Sequence, residues 1–226
     1  MFELPGPVLG ISTASGVAVG LVRSTGPPIR LQHTQARAHV EALTPLIQQV
    51  LNQAGLTTAD LAGIAVGTGP APYTGLRIGL VTAKALGLAS QRPVWGISDL
   101  DVLADQAVAD LDLAEGSTVL ATLDAKRREV YWARYTVDAG APVRLQGPAV
   151  GAPGETPRAD CTVGEGAALY PEVLPLVEGA PVAVDPVVLA IQAARRAGAG
   201  QDVDTQPLYL RRPHVQMAKS TKSVLT

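Results

Sequence analysis

Apolar positions set a strands-first rhythm at the start of the chain. "VLGIS" (8–12) and "GVAVGLV" (16–22) are short, apolar and split by a small polar turn, so they predict two strands. "IRLQHTQ" (29–35) alternates apolar and polar residues, as an exposed strand does. The period then changes. Val40, Leu43, Ile47, Val50 and Ala54 recur at spacings of three and four, which predicts a helix with one apolar stripe. Pro45 lies inside that run and either kinks the helix or starts it, with Thr44 as the cap. A strand "LAGIAVG" (61–67), a Gly/Pro turn and a second helix follow. Next come the strand "RPVWGI" (92–97) and a helix opening at "SDLD", where Ser98 and Asp101 form a cap-like pair.

The second half repeats this order. "STVLATLD" (117–124) and "EVYWARYTV" (129–137) read as a hairpin joined by the charged turn "AKRR", and "VRLQGPAV" (143–150) as a third strand. After a Pro/Gly/acid-rich connection come "DCTVGEGAALYPEV", a strand near "APVAVD" (180–185) and the helix "DPVVLAIQAARRAG" (185–198). Strands followed by alternating helix and strand, twice over, predict two similar α/β lobes with mixed sheets. The first spans 1–100 and holds the two helices singled out below. The second, smaller one spans 101–226.

Composition narrows the function classes. Hydrophobic residues make up 47% and charged ones 17%, so the chain has enough apolar material to fold. The net charge of −2 argues against nucleic-acid binding by bulk electrostatics. The charge is uneven, however. Thr205 to Thr226 carries Arg211, Arg212, Lys219 and Lys222 and no acid, a basic tail that reads first as a solvated terminus. Cys161 is the single cysteine, so no disulfide forms within the chain, and it reads as a small buried hydrophobe rather than a nucleophile. The start, "MFELPGPVLG", lacks the basic-then-apolar layout of a secretory signal, and no apolar run is long enough for a membrane helix. The expectation is a cytoplasmic protein.

"GTGPAPYTGLRIGLVTAKALG" (67–87) poses the main question. A Gly-rich turn from strand into helix exposes backbone N–H groups at the positive helix end and can hold a phosphate, with Thr74 as a natural cap. Yet "TGLR" stands where a nucleotide-binding loop needs Gly-Lys-Ser/Thr, and Pro70 and Pro72 lack an N–H, so a stiff structural turn is the stronger reading. Along the helix, Gly75, Gly79, Ala83 and Gly87 fall every four residues, flanked by Leu76, Leu80 and Leu86. Each glycine costs about 1 kcal/mol relative to alanine unless something approaches the backbone closely. The stripe either packs on the chain's own sheet or receives a partner helix. In the second case Gly79→Leu would block the partner and leave the monomer folded. Arg77 and Lys84, seven apart, share another face.

Catalytic groups are sparse. The histidines, His33, His39 and His214, form no helical His-x-x-x-His pair, and no Gly-x-Ser-x-Gly elbow occurs. Asp124 ends a strand and could hold a metal through water, but more simply organises its own turn. "VGEGA" (163–167) suits a ligand or a plain tight turn equally well. No metal or cofactor site is predicted.

At this point a family resemblance becomes specific. "GTGPAPYTGLRIGLVTAKALGLASQRPVWGISDLDVLA" resembles the signature of the bacterial TsaB family (YeaZ-like, glycoprotease-like) of tRNA threonylcarbamoyladenosine biosynthesis proteins, including Gly69, Pro70, Thr74 and Arg77. "LDAKRREVYWARY" is similar to the family's second block, with Asp124 and Glu129, and "TVGEGAALY" and "PLYLRRP" resemble its third and fourth. The resemblance implies a two-lobed actin/Hsp70-like ATPase fold. It implies a non-catalytic subunit that pairs with a TsaD-like transferase, joined by a TsaE-like ATPase, and meets tRNA through that complex. The pairing helices would be those carrying Val40, Leu43, Ile47 and Val50, and Gly75, Leu76, Gly79, Leu80, Ala83, Lys84 and Gly87. Two departures weaken any nucleotide role. "GISTASG" places Ser12 where the superfamily carries an Asp, and Ala71, Pro72 and Tyr73 replace the usual Gly-Ser-Phe. "WGISDLDVLA" also lacks the histidine pair of the catalytic relative. Two competing readings are an ATP- or metal-dependent enzyme of the same superfamily (phosphotransferase or peptidase) and a homodimer using the same helical face.

Overall fold

In the computed structural model, residues 3–33 and 39–211 are described, with only the backbone of residues 39 and 40. The side chain of Val40, together with Arg212, His214, Lys219 and Lys222 of the basic tail, lies outside the described residues.

The first sheet has the order β3-β2-β1-β4-β5, from β1 (Val8–Ser12), β2 (Val17–Val22), β3 (Ile29–His33), β4 (Gly63–Gly67) and β5 (Val94–Ile97). Its first three strands form an antiparallel meander, and β4 and β5 join in parallel. The second sheet has the order β8-β7-β6-β9, from β6 (Thr118–Asp124), β7 (Val130–Asp138), β8 (Ala141–Gly151) and β9 (Cys161–Val163). It repeats the scheme: a meander, then a parallel strand beside its first member. This is the two-lobed α/β architecture of the actin/Hsp70-like fold.

β1 is buried along its whole length because both of its faces are covered. Leu9 and Ile11 face α1 (His39–Ala54) and α2 (Tyr73–Ser90), where they meet Leu43, Ile47, Leu76 and Leu80. Val8 belongs to the second core, between α3 (Asp99–Asp110), α5 (Pro186–Gly198) and the two sheets, with Leu100, Leu103, Tyr135 and Leu189. Burial on both sides explains why β1 reads as an unbroken apolar run rather than an alternation. α5 comes from the second half of the chain but packs on β1, β2 and β4.

Several local expectations need correction. α1 runs through Pro45 from His39, so Pro45 sits inside the helix and Thr44 does not start it. α2 begins at Tyr73 with Pro72 at the cap position, so Thr74 lies within the first turn and is not the cap. Ser98 occupies the cap position of α3 without a side-chain bond to the helix, and Asp101 is engaged elsewhere. No strand forms near 180–185. That segment crosses between the lobes, where Pro181 and Pro186 supply no N–H for a ladder, and ends with Asp185 capping α5 through the Val187 amide (2.7 Å).

Candidate functional site

The Gly67–Pro72 turn is closed by the chain itself. Asp99, at the first position of α3, is buried and reaches back to it. Ser12 Oγ donates to Asp99 Oδ1 (2.7 Å) and the Gly69 amide donates to Asp99 Oδ2 (2.7 Å). The Asp99 amide donates to the Gly69 carbonyl (2.8 Å), which also accepts from Ser98 Oγ (3.2 Å). The Thr68 amide is taken by the Ile97 carbonyl (2.8 Å). A β-carbon on Gly67 would run into the Asp99 carboxylate, so the glycine there makes room for that acid. Of the N–H groups a phosphate could use in this turn, those at Pro70 and Pro72 are missing, and those of Thr68 and Gly69 are already used within the chain. Ser12 serves to hold an internal carboxylate. Asp99 went unrecognised in the sequence, where "SDLD" reads as a helix start. Its only signal was an acid placed directly after a buried strand.

Burial pushes the Asp99 carboxyl from 3.8 up to about 6, opposed by its bonds from Ser12 and the Gly69 amide. A folded-state value above the unfolded one means that the fold favours the protonated acid. Stability tied to this group is complete below 3.8 and is lost as pH rises through about 6, by roughly 3 kcal/mol at neutrality. In urea denaturation at steps between about pH 4 and pH 7, Asp99→Asn is therefore expected to close on, or overtake, the wild type as pH rises. A difference that stays constant across that window removes Asp99 as the titrating group.

The small-residue stripe of α2 faces inward, which corrects the open-groove expectation. A β-carbon on Gly79 would lie 2.6 Å from Thr13 Oγ1, and one on Gly75 would lie 3.2 Å from the Thr13 carbonyl. Ala83 is buried, and Gly87 abuts the Val94 side chain. The glycines let α2 approach the β1–β2 turn and β5, so Gly79→Leu would disturb the monomer itself. Leu43, Ile47 and Val50 of α1, with Leu76 and Leu80 of α2, fill the core beneath the two helices. The sequence thus grouped these residues correctly in space, but around the chain's own sheet.

What α2 presents outward is a different set. Val81 is 65% exposed and Leu88 84%, with Ala85 exposed between them. Arg77 and Lys84 lie on the same outer side. Spacings of four and three align Val81, Ala85 and Leu88 on one helix face. Two exposed branched apolar side chains thus share one stripe of α2.

The remaining motif residues have structural partners. Asp124 accepts from the Lys126 amide (2.7 Å) and pairs with the Lys126 ammonium, organising the β6–β7 turn. Glu129 pairs with Arg211. Arg77 stacks on Tyr73, its guanidinium carbon 3.8 Å from the ring centroid. Gly164 is left-handed (φ +95°), and a β-carbon there would strike the Thr122 carbonyl, so "VGEGA" is the junction where β9 gives way to the short helix α4 (Glu165–Leu169). Cys161 is buried, and burial pushes its thiol up to about 11, away from nucleophilic character. Among the described residues no group of three or more His, Cys, Asp and Glu is placed to hold a metal ion. Among them, also, no helix is long and apolar enough to cross a membrane.

Comparison with known proteins gives one family and relatives along most of the chain. The family model described as "TsaD: tRNA N6-adenosine threonylcarbamoyltransferase" matches residues 30–161. An uncharacterized protein of Mycobacterium tuberculosis is 37% identical over 211 residues, covering 91% of this chain and 92% of that protein. The tRNA threonylcarbamoyladenosine biosynthesis protein TsaB of Escherichia coli is 38% identical over 103 residues, 45% of this chain and 43% of its own. The structure of YeaZ from Pseudomonas aeruginosa superimposes with a TM-score of 0.73 at 27% identity. It covers 91% of this chain and 100% of that one.

Proposed function

Because the chain belongs to the tRNA threonylcarbamoyltransferase family, on the branch whose members are named TsaB, we propose that it acts in threonylcarbamoyladenosine formation as an accessory subunit that docks a TsaD-like transferase through the outer face of α2 and the adjoining α1. The observation that carries this reading is the exposed Val81–Ala85–Leu88 stripe, flanked by Arg77 and Lys84. The transferase would supply the chemistry. At the turn between β4 and α2 the Gly69 amide is already taken by the Asp99 carboxylate, which supports a subunit without turnover of its own. A TsaE-like ATPase would join the pair, tRNA would meet it through the complex, and the assembly would work in the cytoplasm. Without its partner, the same stripe would bring two copies of this chain together. The division at residue 100 is also proposed, with α5 assigned to the first sheet on which it packs.

The double variant Val81→Asp, Leu88→Asp tests the docking face. Both side chains are exposed in the monomer, so its thermal midpoint should stay within about 2 °C of the wild type. Each apolar contact of this size contributes about 1.5 kcal/mol or more when buried. Affinity for the TsaD-like protein of the same organism, measured by titration calorimetry, should fall at least about a hundredfold. Unchanged affinity would place the docking surface elsewhere.

A further inference from the structure

We infer that a cavity between the lobes binds a nucleotide unit of single-stranded RNA, the base stacked on tyrosine and the phosphate held by the β6–β7 turn. The cavity measures about 360 Å³ and opens between the start of α2, the β6–β7 turn and the segment before Arg211. Three tyrosines (Tyr73, Tyr131, Tyr209) and three cations (Lys126, Arg127, Arg211) line it, with no carboxylate among the lining residues. The chain has five tyrosines in all, so most of them converge on this one space. Tyr73 and Tyr209 lie with ring centroids 5.1 Å apart and planes 33° from parallel. Arg77 braces the pair, stacked on Tyr73 and donating through Nε to the Tyr209 hydroxyl (2.9 Å). A rigid aromatic platform is thereby fixed while Tyr73 and Tyr209 stay 45% and 42% exposed.

The cationic side is equally built. Lys126, Arg127 and Arg128 are consecutive and all left-handed, with φ of +60°, +58° and +62°. Side chains rarely adopt that backbone, at a cost of about 1 kcal/mol or more per residue. Lys126 is tied to Asp124 and Arg211 to Glu129, while Arg127 has no ion-pair partner among the described residues. An aromatic platform beside guanidinium and ammonium groups is the arrangement by which proteins hold single-stranded nucleic acid. The volume suits one nucleotide rather than a duplex. RNA is favoured over a free mononucleotide because positive charge continues past one phosphate: the exposed Arg128 follows Arg127 on the turn, outside the cavity's lining. That choice of RNA rests on the tRNA-modification reading, whereas the cavity chemistry stands without it.

The test uses the purified full chain with no partner, so its failure leaves the docking experiment untouched. Fluorescence anisotropy of a labelled single-stranded RNA of roughly a dozen nucleotides should show saturable binding at low salt. Tyr209→Ala should weaken it about tenfold, the effect of losing one stacked base. Arg127→Glu should weaken it by a similar factor, whereas Arg158→Glu, the same charge change at an exposed site outside the cavity, should leave it within about twofold. Adenosine monophosphate should compete only at far higher concentration than unlabelled RNA. Equal competition would reassign the cavity to a free nucleotide and overturn the RNA proposal. Absence of binding, or equal binding by all three variants, overturns the site.

Discussion

Gly10→Ala is expected to destabilise the protein by at least about 3 kcal/mol. Gly10 lies at the centre of β1 and pairs with Gly20 of β2. The two glycines make a notch in the first sheet, into which the first turn of α5 sinks. A β-carbon on Gly10 would occupy the space of the Pro186 carbonyl, and one on Gly20 would lie 3.0 Å from both Pro186 Cγ and Val187 Cγ2. The first clash is with backbone, which cannot rotate away. α5 is held at the same time by β1, β2 and β4 and by the Asp185 cap, so relief requires moving the whole helix. For a chain of this size each kcal/mol lowers the thermal midpoint by roughly 2–4 °C, so Gly10→Ala should melt at least about 6 °C early. Gly20→Ala, which meets only side-chain atoms, should lose about 1 kcal/mol. Calorimetry of the two variants checks the order. Equal midpoints would mean that α5 is not seated in the notch.

The same helix shows where sequence reasoning stops. Period-two and period-three/four patterns identified the strands of both meanders and the helices α1, α2, α3 and α5, because each element's burial is a local matter of which side chains face the core. The repeated order of strands then disclosed the two lobes. Partners across the fold were not legible. Gly10 and Gly20 look like ordinary interruptions of an apolar run, and only the arrival of Pro186, far along the chain, explains them. The stripe Gly75, Gly79, Ala83, Gly87 announces a close approach but does not say to what. Thr13 and Val94 supply the answer from the chain's own sheet, and the exposed neighbours Val81 and Leu88, one register away, were overlooked for that reason. The family resemblance singled out α1 and α2 but did not say which of their faces is free. Asp99 and Asp101 are a similar case. Two acids two residues apart at a helix start invite a capping explanation, and the side chains instead leave in two directions, one to the Gly69 turn and one to the second lobe.

Asp101→Ala follows from that second direction, and its expected cost is about 2–4 kcal/mol. Asp101 is buried and accepts from the Tyr135 hydroxyl on β7 (2.7 Å), from the Arg144 guanidinium on β8 and from Arg196 Nη2 on α5 (3.1 Å). One carboxylate thus joins α3 to the second sheet and to α5. Removing it leaves the Tyr135 hydroxyl, itself buried, with no acceptor, and leaves the Arg144 and Arg196 guanidiniums without the carboxylate they share. The guanidinium side chains are about a third exposed, so water recovers part of the loss, and the estimate stays below that for a fully buried pair. Tyr135→Phe separates the terms. It deletes the hydroxyl but keeps the carboxylate between its two cations, and should cost about 1 kcal/mol. Added to Asp101→Ala, it should cost less than it does alone, because the hydroxyl it removes has already lost its acceptor. Strict additivity of the two losses in denaturant titrations would show that Tyr135 and Asp101 act independently, and that this contact does not hold the second sheet to α3.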